Sequence, residues 1–364
     1  MKRLRRMIIL YNTIKYKNKM KKIFFVASAL VAALAFASCQ KKDAQEGDLV
    51  TATFTIVAPH DVATKAIGDG QNAKNLVFAV YPYDLAPGAD NTAAAELVNL
   101  RQGDWTKGQT EVVFNANLEA TVTVSLVRGK AYQFVCWAQN KDASCFNFRA
   151  MNAIEVSYAN APAQDNNYRD AFYAHAVTSD SNGNPVKVTD GFNQTIVLRR
   201  PFAQINVGST DMTAAEDAGL NLNNIYSSMN VSNVATVLNT LDGTVSGAQN
   251  VSFTRALAIT NGTAASEKLT INDQNGVYQN TEFGWLAMNY VLVGLAPYNE
   301  THNITFSLYD GDSDAGLLYT HEKTGVTLKR NFRTHLIGDV LTAVGTINIV
   351  IEEEFYDYDI VETL

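Results

Sequence analysis

Apolar and polar residues alternate with a period of two from Leu49 to Val57. Val50, Ala52, Phe54 and Ile56 fall on one face, and Thr51, Thr53 and Thr55 on the other. That period predicts a strand with one buried face. Further runs rich in Val, Phe, Tyr and Thr follow at 75–82, 111–116, 120–127, 131–138 and 194–200. These residue types fit a pleated surface. A second series covers 201–208, 250–257, 283–294, 302–310, 325–331, 332–338 and 346–355. Asp242–Gly243, Asn275–Gly276 and Asp310–Gly311 are hairpin-type dipeptides. A single short helix is predicted over MTAAEDAGLNL, capped by Thr210 and Asp211 ahead of Gly219.

Many short strands with turn signals, and no alternation with helices, predict an all-β chain built from sandwiches. The expected arrangement is two tandem β-sandwich domains, Ig-like in architecture, over 49–200 and 201–364. The expected boundary is Arg199–Arg200–Pro201, where one strand ends and a proline opens the next segment.

The segment before the first strand has a different character. MKKIFFVASALVAALAFASC has a basic start at Lys21 and Lys22 and an apolar run of 15 residues from Ile23 to Ala37. That run is shorter than the roughly 20 residues a transmembrane helix needs. The layout is that of a secretory signal peptide over 1–38, with Met20 a better start than Met1. FASC resembles a lipobox, with Phe36 in place of the usual Leu. The resemblance makes Cys39 the lipidated first residue of the mature chain, and residues 39–48 read as a polar tether.

Export changes the charge. Nine of the 29 Lys and Arg lie in 1–38, which holds no acid, leaving 20 against 36 acidic residues and a formal charge of −16. Such a surface repels phosphate backbones, so nucleic acid is not an expected partner. Cys136 and Cys145 are the two cysteines left. They read as buried thiols in preference to a disulfide, whose geometry a sequence does not supply.

Candidate chemistry is sparse. The chain has no HExxH, GxSxG, CxxC, P-loop or dinucleotide fingerprint. His60, His175, His302, His321 and His335 are scattered. Asp310, Asp312 and Asp314 alternate like the start of a calcium loop. Ala315 and His321 stand where that loop needs Gly and Glu, so an acidic hairpin turn is the expectation. The acidic run in IEEEFYDYDIV offers no cleft for a carboxylate pair held about 5–9.5 Å apart. Trp137 and Trp285 lie in apolar strands and read as core, while Trp105 stands apart from them. No catalytic residue, metal or cofactor is expected, and the chain is not read as an enzyme.

A lipobox, a Thr-rich first strand, TKAIGDGQNAKNLVFAVY, YQFVCWAQ and RRPFAQINVG together resemble a fimbrillin-like lipoprotein of Gram-negative anaerobes, related to type V pilins. The resemblance spans Cys39 to about Phe355. It implies tandem transthyretin-like sandwiches carried to the outer membrane as a lipoprotein. It also implies cleavage after the first strand by a trypsin-like protease, departure of that strand, and its replacement by a strand of the next subunit.

On this chain the resemblance places cleavage at Lys65–Ala66. The displaced strand is then that of Val50, Ala52, Phe54 and Ile56. A donor strand comes from Ile347, Ile349 and Ile351, or in the other register from Tyr356, Tyr358 and Ile360. The implied partners are other fimbrial subunits in a homo- or hetero-polymer, the outer membrane through the lipid, and host or bacterial surface ligands. The implied location is the cell surface, in a fimbrium, with a role in adhesion. Characterised shaft subunits are cut after Arg, so Lys65 also suits an anchor or accessory subunit that keeps its first strand. The alternative is a monomeric glycan-binding outer-membrane lipoprotein.

Overall fold

The computed structural model describes residues 49–58, 73, 75–84, 112–115, 117–140, 142–147, 150–163, 168–258, 267–269, 281–342 and 348–351. The first half contains β1 (Leu49–Val57), β2 (Asn75–Pro82), β3 (Val112–Val113), β4 (Glu119–Val127), β5 (Tyr132–Gln139), β6 (Phe146–Asn147), β7 (Ile154–Val156), β8 (Ala171–Val177) and β9 (Phe192–Val197). The second begins with β10 (Phe202–Ser209), helix α1 (Met212–Asp217), β11 (Ile225–Val234), β12 (Val237–Leu238) and β13 (Val245–Ser246). It continues with β14 (Gln249–Leu257), β15 (Glu267–Leu269), β16 (Thr281–Leu292), β17 (His302–Asp310), β18 (Leu317–Val326), β19 (Arg333–Gly338) and β20 (Asn348–Ile351). The chain is all-β, and among the described residues no helix is long and apolar enough to cross a membrane.

Five sheets arise from these strands. Their orders are β4-β1-β9, β3-β2-β5-β8, β6-β7-β12-β13, β14-β11-β17-β18 and β15-β16-β10-β19-β20. The β6-β7-β12-β13 sheet joins segments on either side of residue 200 through Leu238↔Ile154 and Val237↔Glu155.

The burial of each strand follows from its place in the layers. β1 and β4 alternate buried and exposed residues because only one face meets an apolar core. β2 and β5 are buried at almost every position because the sheet they share lies between two cores. Leu76, Phe78, Val80, Phe134 and Cys136 face one core with β1, β4 and β9. Val77, Ala79, Tyr81, Val135 and Trp137 face the other, larger core with β10, β11, β16 and β17. The sheets β4-β1-β9 and β3-β2-β5-β8 thus form a β-sandwich around the first core.

Two local expectations are corrected. The strand expected over 325–331 is β18, which runs from Leu317 to Val326. Residues beyond it turn instead, with Asn331 at φ 64 and the Arg330 side chain bonding the carbonyls of Val293 and Gly243. Asp211 precedes α1, but its side chain makes no cap bond. It accepts instead from the backbone N–H groups of Val340, Leu341 and Thr342 and from the Thr342 and Ser209 hydroxyls.

Candidate functional site

The residues expected to leave with the first strand lie at the centre of a sheet. β1 pairs parallel with β9, from Ala52↔Phe192 to Val57↔Val197. On its other side Thr53 meets Thr123 at 3.5 Å and the Ala58 N–H donates to the Leu118 carbonyl at 2.9 Å. β1 is therefore antiparallel to β4, in a register that sets Val122 beside Phe54 and Val124 beside Ala52.

Val50, Ala52, Phe54, Ile56 and Ala58 are all buried. The Phe54 ring sits 4.5 Å from Phe134, 5.2 Å from Phe78 and 5.7 Å from Phe192 between centroids. Aromatic contacts of this kind add about 0.5–1.5 kcal/mol to area burial. Phe54 is the anchor of β1.

The two strands flanking β1 are held by bonds in which β1 takes no part. At one end the Gly129 N–H donates to the Val188 carbonyl at 2.7 Å and the Val188 N–H to Lys130 at 2.9 Å. Arg128 reaches the Thr189 carbonyl and lies 3.3 Å from Asp190. At the other end Tyr173 and Arg199 exchange backbone bonds of 2.8 and 2.9 Å. There Arg200, wholly buried, forms a bidentate pair with Asp170 at 2.7 and 2.9 Å and donates to Asn331 at 3.1 Å. Its guanidinium also lies 4.8 Å over the Phe172 ring.

The other expected site residues are distributed as follows. Cys39, Lys65, Ala66, Ile347, Tyr356, Tyr358 and Ile360 lie outside the described residues. Ile349 and Ile351 are on β20, an edge strand paired antiparallel with β19 through Leu336↔Ile349 and Thr334↔Ile351. Sequence reasoning missed Phe192, Phe78 and Phe134 as walls of the β1 site. It began the ninth strand at Gln194, although Phe192, Gln194 and Ile196 alternate from the start of β9.

The remaining candidate groups have structural partners. Four histidines bond within the fold: His175 to Gln133, His302 to the Ser232 carbonyl, His321 to the Val340 carbonyl and His335 to Asn206. Burial pushes the His175 pKa down, against a bond to the Leu241 backbone. Asp312 and Asp314 face Arg255, and Asp310 accepts from Asn224 at 2.7 Å. Among the described residues no group of three or more His, Cys, Asp and Glu is placed to hold a metal. Cys136 and Cys145 are buried and form no disulfide, and burial pushes the Cys136 thiol far up. Trp137 is wholly buried against Phe146 and donates to Gln139 at 3.0 Å. Trp285 is half-buried against His335.

Comparison with known proteins gives one family. The model of a family of unknown function, DUF6562, matches residues 44–363. No curated protein matches the chain. Among solved structures the chain is similar to a candidate cell adhesion protein from Bacteroides ovatus, at 13% identity and TM-score 0.42, over 83% of this chain and 97% of that one. It is similar to a fimbrial assembly protein from Parabacteroides distasonis, at 12% identity and TM-score 0.40, over 84% and 96%. It is also similar to the fimbrial anchor protein Mfa2 from Porphyromonas gingivalis, at 10% identity and TM-score 0.35, over 79% and 90%.

Proposed function

This chain belongs to the DUF6562 family, and we propose that it is a structural or accessory subunit of a cell-surface fimbria that contributes to adhesion. In this reading it is exported, lipidated at Cys39 and held at the outer membrane until proteolysis at Lys65–Ala66. Release of β1 then opens a groove that a strand of the next subunit fills.

The observation that carries the proposal is the position of β1. It is the first described strand and lies between β4 and β9, and it supplies Val50, Ala52, Phe54 and Ile56 to the first core. Its removal exposes two rows of backbone hydrogen-bonding groups and a line of apolar pockets. Such a site recruits an added strand. Burying two large apolar side chains of an entering strand is worth about 3–6 kcal/mol before ordering costs, and a backbone ladder to both neighbours adds to it. That is enough to make the joint between subunits persistent.

The donor in this reading is the C-terminal region. β20 is a four-residue edge strand, so detaching it breaks one ladder only. The test compares the parent chain with a Lys65→Gln variant after trypsin. The parent forms oligomers that survive SDS without boiling, and Lys65→Gln stays monomeric. Identical behaviour of the two contradicts the proposal.

A further inference from the structure

The rows across the β4-β1-β9 sheet differ in how much space they leave for the central strand. In the Phe54 row the neighbours are Val122 and the half-buried Gln194, with the Phe78 and Phe134 rings facing them. In the Ala52 row the neighbours are Val124 and Phe192. The Phe192 ring packs edge-on to Phe54 at 5.7 Å and so fills the side of the row that a larger residue at 52 would use. In the Ile56 row the neighbours are Ala120 and Ile196. The middle strand therefore carries a small residue, then a large one, then a branched one at alternate positions.

We infer that Phe192 sets a selection rule for the strand that enters this groove, and that the rule picks residues 343–351 of a second copy, with Gly345 in the Ala52 row. The inference rests on the strand-exchange reading above. Sequence supplies the match. Running in the direction of β1, Ala343, Gly345, Ile347 and Ile349 fall in the rows of Val50, Ala52, Phe54 and Ile56.

The other registers that set one of the expected donor residues in the Phe54 row fail in the Ala52 row. Placing Ile349 in the Phe54 row brings Ile347 there. Placing Tyr358 in the Phe54 row brings Tyr356, and placing Tyr356 brings Glu354. With the strand reversed, Ile351 or Ile360 arrives in that row. Overfilling a packed row forces side chains off their rotamers and shifts the backbone. The walls have little freedom to widen, because Gly129–Val188, Arg128–Asp190 and Tyr173–Arg199 hold both flanking strands without β1.

The test uses the chain beginning at Gln40 after trypsin, with fluorescent peptides of residues 343–351 read by anisotropy. The parent peptide binds, a Gly345→Leu peptide binds at least about tenfold more weakly, and Phe192→Ala in the chain removes most of that difference. Equal binding of the two peptides overturns the rule. The same rule is read without exchange in the uncut chain: Ala52→Leu lowers the melting midpoint, and adding Phe192→Ala recovers part of the loss. An unchanged midpoint in Ala52→Leu, or no recovery in the double variant, overturns the rule whether or not peptides bind. Failure of the parent peptide to bind, with the Ala52→Leu and Phe192→Ala coupling intact, rejects strand exchange and the second-copy assignment while the steric role of Phe192 stands.

Discussion

The rings of Phe54 and Phe134 meet at 4.5 Å between centroids, tilted 52°, and join β1 to the sheet that separates the two cores. Phe134 on β5 belongs to a strand buried on both faces, so the anchor of β1 bears on the most constrained layer of the fold. Truncating it leaves a cavity that this layer cannot collapse to fill. Phe54→Ala is expected to cost about 3–5 kcal/mol, against a smaller loss for Phe54→Leu. Urea denaturation of the two variants with unchanged m-values checks this.

Gly191 opens onto the same strand. A Cβ there would lie 2.8 Å from the Thr51 carbonyl oxygen, which is backbone and cannot swing aside. Gly191→Val is expected to push β1 from β9 while leaving the rest of the chain folded. Hydrogen exchange should show faster exchange at β1 amides with little change in β16 and β17.

Arg200 and Asp170 are both wholly buried and joined by two short bonds. Removing one partner strands the other charge, so Arg200→Ala should cost about 3–5 kcal/mol. Replacing both with apolar residues of similar size should recover much of that loss. A double-mutant cycle by denaturation measures the difference.

Asp211 ties the turn at 340–342 to the start of α1. Burial alone would raise its pKa, but the bonds from the Ser209 and Thr342 hydroxyls and from the N–H groups of Thr342 and Leu341 outweigh it and hold the carboxyl below its usual range. A lowered folded pKa means the unfolded chain binds the proton first. The carboxylate therefore contributes stability above about pH 3.9, and that contribution fades as pH falls through the folded value. Asp211→Asn should destabilise the chain at pH 7, and the gap to the parent should narrow on acidification. Melting midpoints from pH 7 to pH 3 test this.

What the sequence made legible follows the layers. β1 was readable because one buried face imposes alternation, and β2 and β5 because two buried faces leave an unbroken apolar run. β11 was missed because Ser228, Asn230 and Ser232 on its outward face dilute the apolar positions. β18 was displaced toward 325–331 because its exposed positions carry Thr320 and Glu322. Asp211 looked like a helix cap because the turn it holds is about 130 residues away. The role of Phe192 was hidden for the same reason, since its row is made by strands far apart in the chain.

Removal of β1 is open to a single experiment, limited trypsin digestion of the chain beginning at Gln40. N-terminal sequencing and SDS gels without boiling supply the readout. The expected products are a new N-terminus at Ala66 and a ladder of oligomers. A resistant monomer with Lys65 uncut would rule out departure of β1.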